Sequence, residues 1–275
     1  MQKEQEIITS RQNPLVQLTA SLAERKHRER EGLFRFDGRK LFVEALTAAL
    51  PLSAVLLRAS SAERLLAEAE GLAFPEDCRV AVLADSLFDR ISEEKAPDGV
   101  ICISKRLDKT HKIITIDKRC DFLSSLSVGH TLVLESVRDP GNLGTIIRSA
   151  AAFGLGNLVL SADCADIYHP RTIRAAMGAL FGKPIVVVED IADAIAQLTT
   201  RGRVYAAALD GEAKRLGEVV FGKNDSVLVG NEGHGLSAAA IAAATDKLFI
   251  PMEAGVESLN AGVAASVLLW QLYRG

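Results

Sequence analysis

The chain has 275 residues, of which 48% are hydrophobic and 24% charged, and its formal net charge is −3 at pH 7. This length is enough for two compact domains, and the composition is that of an ordinary soluble protein. No apolar run approaches a membrane-spanning length and the N-terminus lacks the apolar stretch of a signal peptide, so no membrane partner is expected. The four cysteines and five histidines are scattered, which argues against disulfides and a metal site and favours a cytoplasmic location.

Basic residues are concentrated in two segments although the net charge is negative. They crowd the first forty positions and the stretch from Lys105 to Arg119, with an acidic region between. Two interpretations stay open: a solvated helix face balanced by nearby glutamates, or a surface that contacts RNA phosphates. In the second interpretation the candidate RNA contacts are Arg11, Arg25, Lys26 and Arg39.

The first hundred residues have the pattern of a small α/β domain. Residues 13–30 are predicted to form one helix, and Asp37 is predicted to cap a second helix that ends near Leu50. Predicted strands follow over 54–57, 79–83 and 100–104, and predicted helices over 62–70 and 86–92. Residues 1–107 are therefore assigned to this domain, and the polar, basic residues 108–126 to a linker.

The remaining residues, 127–275, alternate more regularly between strands and helices. Short apolar strands are predicted over 131–135, 157–160, 185–188, 204–209, 226–229 and 247–250. Helices are predicted over 143–153, 172–181, 191–199, 236–244 and 261–273. This alternation indicates a mainly parallel sheet with helices on both faces. The last helix is apolar nearly all round, so it must be buried in its own domain or against a partner subunit.

Three loops follow predicted strands at their carboxyl ends, where open α/β sheets usually bind ligands. The first contains Asp139-Pro140-Gly141-Asn142, a turn that opens the next helix. The unpaired N–H groups at that helix start suit an anionic or polar ligand, and Arg148 lies in the second turn. The alternative is that Asn142 is an ordinary turn residue and Arg148 a surface ion-pair partner.

The second loop, VLVGNEGHGLS, has three glycines that allow a ligand or another backbone to approach closely. Its Glu232 either belongs to a site or favours the start of the next helix. In the third loop, FIPMEAGVESLNAGVAASVLLW, the simplest interpretation of Ile250 is that it packs in the core. Ser258 or Asn260 is placed to cap the last helix. No serine or cysteine nucleophile stands at the spacing of a hydrolase triad.

Taken in this order, the three loops resemble the signature motifs of the SPOUT superfamily, in particular its SpoU/TrmH-type RNA 2′-O-ribose methyltransferases. The matching strings are DPGNLGTIIRSAAAFG, LVGNEGHGLS and IPMEAGVESLNAGVAAS. The N-terminal string ITSRQNPLVQLTASLAERKHREREGLFRFDGRKLFVEAL is similar to a substrate-binding domain related to ribosomal protein L30e. The resemblance implies an α/β catalytic domain with a deep C-terminal trefoil knot, which binds S-adenosyl-L-methionine (AdoMet) and dimerises with a second copy.

The resemblance also implies roles for individual residues. The residues expected to contact AdoMet are Gly230, Ile250 and Leu259. Arg148 matches the family's catalytic arginine, which is supplied across the dimer interface and acts on the ribose 2′-OH by promoting deprotonation or by orientation and electrostatic stabilisation. Asn142 is expected to position Arg148. The residues expected to complete the pocket are Glu232, Ser258 and Asn260.

The leading interpretation is therefore an AdoMet-dependent ribose methyltransferase acting on structured RNA, with 23S rRNA as the expected target. A tRNA 2′-O-methyltransferase is the second candidate. A non-catalytic RNA-binding factor of the same fold, and an AdoMet-dependent enzyme acting on protein or small molecules, are the alternatives from other classes. The sequence does not identify the modified nucleotide or exclude a role in antibiotic resistance.

Overall fold

A computed structural model of the chain describes residues 7–107, 113–116, 122–208, 211–253, 255 and 258–275, with only the backbone described at 113–116. Its strands are β1 (Leu33–Asp37), β2 (Leu52–Arg58), β3 (Arg79–Leu83), β4 (Val100–Lys105), β5 (Ile113–Ile116), β6 (Thr131–Leu134), β7 (Asn157–Ser161), β8 (Ile185–Val188), β9 (Val204–Ala207), β10 (Lys214–Arg215), β11 (Ser226–Val229) and β12 (Asp246–Phe249). Its α-helices are α1 (Pro14–Ser21), α2 (Arg25–Glu31), α3 (Arg39–Thr47), α4 (Ala62–Glu68), α5 (Asp85–Ile91), α6 (Pro140–Ala152), α7 (Pro170–Ala176), α8 (Ala179–Gly182), α9 (Ile191–Leu198), α10 (Ala238–Ala243) and α11 (Ala261–Arg274).

The chain divides into two compact units, and the division does not follow chain order throughout. The first unit comprises residues 1–109 together with 168–182, and the second comprises 110–167 together with 183–275. The sequence prediction gave two continuous domains, 1–107 and 127–275. In the structure, α7 and α8 pack with the first unit, although their residues lie within the predicted second domain. The segment predicted to be a linker contains β5, which pairs with β8 of the second unit.

The first unit contains a four-stranded sheet in the order β1-β4-β2-β3. Strand β4 is antiparallel to both of its neighbours, and β2 and β3 are parallel. Alternate residues of the strands point to the same face. On one face they pack against α1 and α5 in a core formed by Leu15, Val16, Leu22, Ala54, Leu56, Ala81, Leu83, Leu87, Phe88, Ile101 and Ile103.

Two arginines of the N-terminal basic segment belong to this unit's interior. Arg28 is 2% exposed and donates hydrogen bonds from Nη1 to the Leu22 and Ala23 carbonyls, 2.8 and 2.6 Å away. Arg35 is 1% exposed and donates from Nη2 to both carboxylate oxygens of Asp37, at 2.7 and 2.9 Å. A buried charge of this kind is tolerated only when it is paired and hydrogen-bonded, so neither arginine contributes to an RNA-facing surface.

Two predictions for the first unit differ from the structure. The helix predicted over 13–30 is two helices, because the chain turns at Leu22–Glu24 and the buried Arg28 side chain binds carbonyls at the end of α1. The prediction that Asp37 caps a helix is wrong: Asp37 ends β1, and Gly38, with φ of 113°, precedes α3. The buried ion pair with Arg35 holds Asp37 inside the sheet.

The segment 168–182 completes the hydrophobic core of the first unit. The rings of Phe34 and Tyr168 lie 4.8 Å apart between centroids, and those of Phe36 and Phe181 lie 5.3 Å apart. The helix predicted over 172–181 is interrupted at Met177, whose φ of 53° is rare for a residue with a side chain. The N–H of the next residue, Gly178, donates to the Glu44 carboxylate at 2.7 Å, which stabilises this break.

The second unit contains an eight-stranded, entirely parallel sheet in the order β10-β12-β9-β11-β6-β7-β8-β5. Valine and alanine side chains of β6, β7, β8 and β9, with Leu228 of β11, form a core with α9 and α10. Helices α6 and α11 pack against each other, and α11 also packs against β11. The predicted mainly parallel α/β architecture with a small N-terminal domain is confirmed, and the trefoil knot stays a prediction.

In this sheet β11 is inserted between β6 and β9, whereas β12 lies on the outer side of β9. From β6 the chain adds β7 and β8 on one side of the sheet, and it then adds β9 and β11 on the other side of β6. The order of the strands therefore reverses beside β6. Open parallel sheets bind ligands at the carboxyl ends of strands beside such a switch. Within the described ranges every helix is too short or too polar to span a lipid bilayer.

Candidate active site

A cavity of about 410 Å³ lies at the carboxyl ends of β9, β11 and β12 in the second unit. The segments that line it are Ala207–Ala208, the loop from Val229 to Leu236, the residues around Phe249 to Met252, and the start of α11 with Ser258 and Leu259 before it. All three residues predicted to contact the cofactor, Gly230, Ile250 and Leu259, line this cavity, as do Glu232 and Ser258. Their roles in binding stay predictions.

The glycine-rich loop after β11 folds back on itself to form one wall. Asn231 and Gly235 exchange two backbone hydrogen bonds, each of 3.0 Å. The Asn231 Oδ1 atom accepts from the Gly233 N–H at 2.8 Å, and its Nδ2 donates to the Ser136 carbonyl at 2.8 Å. A Cβ atom at Gly230 would overlap the backbone of Gly235 and Leu236, so only glycine fits at this crossing.

Three of the predicted catalytic residues are joined by hydrogen bonds beside the cavity. Asn142 Nδ2 donates to Glu232 Oε1 at 3.0 Å, and Asn260 Nδ2 donates to Asn142 Oδ1 at 2.9 Å. Asn260 also caps α11, because its Oδ1 accepts from the Gly262 and Val263 N–H groups. The two interpretations of Asn260, helix cap and site residue, are therefore compatible.

The same network fixes the charge state of Glu232. Its carboxylate accepts from Asn142 and from the backbone N–H groups of Arg138 and Asp139, both at 3.2 Å. Desolvation raises the pKa of Glu232, but these hydrogen bonds outweigh it, so the pKa lies below the ordinary glutamate value. Glu232 is therefore ionised at neutral pH and serves as a hydrogen-bond acceptor rather than as a proton donor.

Arg148 lies in the second turn of α6 and is exposed. Its side chain has no hydrogen-bond or ion-pair partner among the described residues. The alternative of a surface ion pair within the same chain therefore has no support in these ranges. Asn142, which was expected to position Arg148, is engaged with Glu232 and Asn260 instead, so that expectation stays untested.

Sequence reasoning missed one buried carboxylate that holds the site together. Glu135, 8% exposed, follows β6 and accepts from the Ser237 N–H at 2.8 Å and from the Ser237 hydroxyl at 2.7 Å. Ser237 in turn caps α10 through the Ala240 N–H. Glu135 thereby ties the end of the glycine-rich loop to the first loop. An acid that follows a buried strand was the available signal, but its partner is 102 residues away.

The four candidate RNA contacts all lie on the surface of the first unit. Arg11, Arg25, Lys26 and Arg39 are exposed. Arg25 pairs with Glu29 at 2.7 Å and Arg39 with Glu68 at 3.0 Å, so these two are partly neutralised by neighbouring acids. Arg11 and Lys26 carry no such pair in the part of the chain that the structure describes. RNA binding by these residues stays a prediction.

The cavity suits an organic cofactor. Its volume falls in the range of about 300–1,000 Å³ that is usual for small-molecule sites. Apolar side chains such as Leu248 and Ile250 line it, and the backbone of the glycine-rich loop offers polar groups to a nucleoside or amino acid. Across the described ranges, no three histidine, cysteine or acidic side chains are grouped as metal ligands.

Comparison with known proteins assigns the family. Residues 129–270 match the model of the SpoU rRNA methylase family, and residues 13–102 match the MRM3-like substrate-binding domain. The chain belongs to the SpoU rRNA methylase family. The first match covers the cavity, the Asn142–Glu232–Asn260 network and Arg148, so the family resemblance drawn from the three loops is confirmed. The prediction that the chain is a methyltransferase enzyme is confirmed with it.

SpoU relatives cover almost the whole chain. The 23S rRNA (guanosine(2553)-2′-O)-methyltransferase RlmP of Bacillus subtilis is 29% identical over 96% of this chain and 98% of its own. The structure of a TrmH-family protein from Porphyromonas gingivalis has 30% identity, a TM-score of 0.76 and coverage of 94% of this chain and 96% of its own. An AdoMet-bound rRNA methyltransferase from Sinorhizobium meliloti has 26% identity, a TM-score of 0.77 and coverage of 98% and 97%.

We expect Glu232→Gln to impair methyl transfer more than it impairs folding. Glutamine retains one acceptor oxygen but presents an N–H to donors that now bind a carboxylate. Because Glu232 is exposed, the free energy of unfolding should fall by about 1 kcal/mol or less. Its folded-state pKa is lowered, so its contribution to stability is present above the ordinary glutamate pKa and is lost as pH falls through the folded-state pKa.

Urea unfolding across an acidic pH series measures the difference in the free energy of unfolding between the wild type and Glu232→Gln. The stability gap should close at the acidic end. Glu218→Gln is the control, because Glu218 is 69% exposed and only 3.9 Å from Arg215 in a surface pair. A gap that stays constant down to the lowest pH would contradict the assigned charge state of Glu232.

Proposed function

We propose that this chain transfers a methyl group from AdoMet to a ribose 2′-OH of ribosomal RNA, in 23S rRNA. The observation that carries the proposal is the cavity at the carboxyl ends of β9, β11 and β12, bordered by the Asn142–Glu232–Asn260 network within a SpoU methylase domain. RlmP of Bacillus subtilis, which is similar over nearly its full length, carries this activity in its name. The MRM3-like substrate-binding domain supports RNA over a protein or small-molecule acceptor.

In this proposal the three loops bind the cofactor and hold the acceptor in line. AdoMet, when bound, supplies an electrophilic methyl group. Gly230, Ile250 and Leu259, which line the cavity, would enclose the cofactor, and their apolar surroundings would limit the access of water. The ionised Glu232 fixes the first loop through Asn142 and two backbone N–H groups. Such fixed geometry matters because a ribose hydroxyl is a poor nucleophile and must be closely aligned.

Arg148 supplies the positive charge for this step. An arginine side chain stays protonated at neutral pH, so it acts through its charge and its hydrogen-bond donors. Oriented toward the 2′-OH or the adjacent phosphate, it favours the developing alkoxide over the neutral hydroxyl. Because it is exposed and lacks a partner within the described ranges, it is available to a site on a second copy of the chain.

The dimer is proposed to form through α6 and α11. Val263, Trp270 and Tyr273 of α11 are 49%, 49% and 63% exposed, which is unusual for large apolar residues on one helix. Thr145 of α6 and Val263 line a common apolar groove. Arg148 is three residues after Thr145, so it lies on the same face of α6 as this groove residue.

We expect Val263→Glu to convert the dimer to a monomer of 29.5 kDa without unfolding it. Glutamate in the first turn of α11 is compatible with the helix dipole, but it places a charge in the apolar groove. Light scattering coupled to size exclusion measures the mass. The control is Leu66→Glu, at an apolar residue of α4 that is 38% exposed. If Val263→Glu keeps the dimer mass, the proposed interface is wrong.

The remaining expectations are part of the same proposal. The domains run from 1 to 107 and from 127 to 275 along the chain, and the second is proposed to contain the trefoil knot. Its support is that the chain leaves β12 outside β9 and returns to pack α11 against β11 and α6. The first unit is proposed to bind rRNA through Arg11, Arg25, Lys26 and Arg39. The protein is proposed to act in the cytoplasm.

The test is tritium transfer from labelled AdoMet to RNA that lacks its own modifications, separated into 23S, 16S and tRNA fractions. We expect label in 23S rRNA that survives alkali as a resistant dinucleotide, which identifies the 2′-O position. Label in tRNA would change the proposed target from rRNA to tRNA and would leave the proposed reaction unchanged. AdoMet binding with no label in any fraction, including precursor ribosomal particles, would overturn the proposal in favour of a non-catalytic binding factor.

A further inference from the structure

The side chains of a polar cluster beside the network have no part in the mechanism above. The cluster lies at the carboxyl ends of β6 and β7 and consists of Ser136, Arg138, Ser161 and Asp163. Ser136 has a φ of 55°, which is rare for a residue with a side chain. Such backbone strain persists only where surrounding contacts hold it, and it clusters at functional sites.

Contacts from two sides hold the strained segment. The Ser136 N–H donates to the Ser161 hydroxyl at 2.9 Å, and the Ser136 carbonyl accepts from Asn231 Nδ2 at 2.8 Å. The segment is thus fixed both to the end of β7 and to the glycine-rich loop. It leads directly into Arg138, whose backbone N–H donates to Glu232 at 3.2 Å.

Asp163 is the centre of the cluster. It accepts from the Ser136 hydroxyl at 2.5 Å and from the Ser161 hydroxyl at 2.6 Å. Desolvation raises the pKa of Asp163, but the hydrogen bonds from Ser136, Ser161 and Arg138 outweigh it and lower the pKa below the ordinary aspartate value. The carboxylate is therefore a fixed negative charge at neutral pH.

The Asp163 carboxylate orients the Arg138 guanidinium but binds only one of its N–H groups. Its Nη2 donates to Asp163 Oδ2 at 3.3 Å, and its side chain remains 64% exposed. A guanidinium has five N–H donors in a planar fork. In the described part of the chain the other four have no partner, so they are free to bind a group outside the chain.

We propose that Arg138 is a second RNA-contact residue, which binds the phosphodiester beside the target ribose, and that Asp163 is the positioning residue that holds its guanidinium toward the RNA. The planar fork matches two phosphate oxygens, which a lysine in its place would not do. Because an exposed ion pair contributes little to stability, the Arg138–Asp163 pair serves orientation rather than folding.

This inference rests on the proposed function. Under it, Arg138 and Arg148 serve the same site from different protomers. Arg138 borders the cofactor cavity of its own chain through Glu232, whereas Arg148 is proposed to act on the cavity of the partner. The acceptor nucleotide would therefore be held by one arginine from each copy, with its phosphate on Arg138.

The test is binding of Arg138→Gln to an unmodified 23S rRNA transcript between about 50 and 200 mM salt, with AdoMet affinity measured in parallel. Loss of one phosphate contact should weaken RNA binding about tenfold and lower the slope of log affinity against log salt by about one. AdoMet affinity should be unchanged. Asp163→Asn should lower kcat more than it raises KM, and Arg138→Lys should restore the salt slope but not the full rate.

The matched control is Arg215→Gln. Arg215 is 57% exposed and faces a carboxylate as Arg138 does, but it lies on β10, four strands from β6 in the sheet order. A salt slope for Arg138→Gln equal to that of the wild type and of the control would overturn the inference. Binding is measured without turnover, so this result is separate from a failure of the wild type to methylate RNA, which would overturn the proposed function instead.

Discussion

Replacement of Arg148 by alanine is expected to lower the rate of methyl transfer by at least about a hundredfold, the typical effect of removing a group that stabilises developing charge. AdoMet affinity, the dimer mass and thermal stability should remain those of the wild type. The reason is that Arg148 is exposed and has no partner within the described ranges, so its removal disturbs no internal contact. Single-turnover methylation of unmodified 23S rRNA, with AdoMet titration alongside, measures both properties.

Arg148→Lys is the control for charge, and it should recover only part of the rate because an ammonium group lacks the planar fork of donors. A rate for Arg148→Ala within a few fold of the wild type would show that Arg148 has no role in the chemical step. The assay must use the dimer, since a loss of subunit association would imitate a loss of catalysis.

Gly230→Ala is expected to have the second largest effect, through the cofactor. The added Cβ would lie within about 2.5 Å of the Gly235 carbonyl oxygen, where backbone rather than a movable side chain must give way. Opening of this crossing should weaken AdoMet binding at least tenfold and cost about 1–3 kcal/mol of stability, as overpacking of a tight site does. Calorimetric titration with AdoMet and thermal unfolding report the two effects.

The matched control lies three residues later in the same loop. A Cβ at Gly233 would meet only Asn231 Oδ1 at 3.4 Å, so Gly233→Ala should keep the stability of the wild type and lose less AdoMet affinity than Gly230→Ala. If the two alanine variants behave alike, close approach of the backbone at Gly230 is not what shapes the cofactor site.

The two variants together test whether Arg148 acts across the dimer. In a mixed dimer, the Arg148→Ala protomer retains its cofactor cavity and the Gly230→Ala protomer retains its arginine. Activity should reappear in the mixture if the arginine serves the partner's cavity. A mixture as inactive as its components would place Arg148 at the cavity of its own chain.

Much of the second unit follows from sequence periodicity. Strands β8 and β11 have the predicted bounds, β6, β7 and β9 differ by one or two residues at one end, and β12 is shifted by one residue. The reason is that a parallel sheet covered on both faces requires short, wholly apolar strands, which polar loops delimit clearly. The break at Met177 gave no such signal, since it depends on the distant Glu44.

Strand β1 was missed for a related physical reason. Its sequence, LFRFD, alternates aromatic and charged residues, and Arg35 and Asp37 have the composition of an exposed helix start. In the structure they neutralise each other inside the unit, 2.7 Å apart. A buried ion pair cannot be distinguished from two exposed charges by composition, because what differs is the surrounding packing.

The candidate site was predictable where its residues lie within motifs, and less so where they act over long distances. Gly230, Glu232, Ser258 and Asn260 come from the loops that the motifs identify. Glu135, Asn231 and Asp163 act through hydrogen bonds to Ser237, Ser136 and Arg138, between 25 and 102 residues away. Their types alone carry no information about such partners.

The assignment of residues 168–182 to the first unit has a consequence for how the chain is synthesised and folds. Phe34 and Phe36 acquire their ring contacts only when Tyr168 and Phe181 are present, and the Leu107 N–H acquires the Tyr168 hydroxyl, 2.6 Å away, at the same stage. A nascent chain must therefore extend past residue 182 before these contacts of the first unit can form. By then β5, β6 and β7 have already emerged, so the two units complete their folding in an interleaved order rather than one after the other.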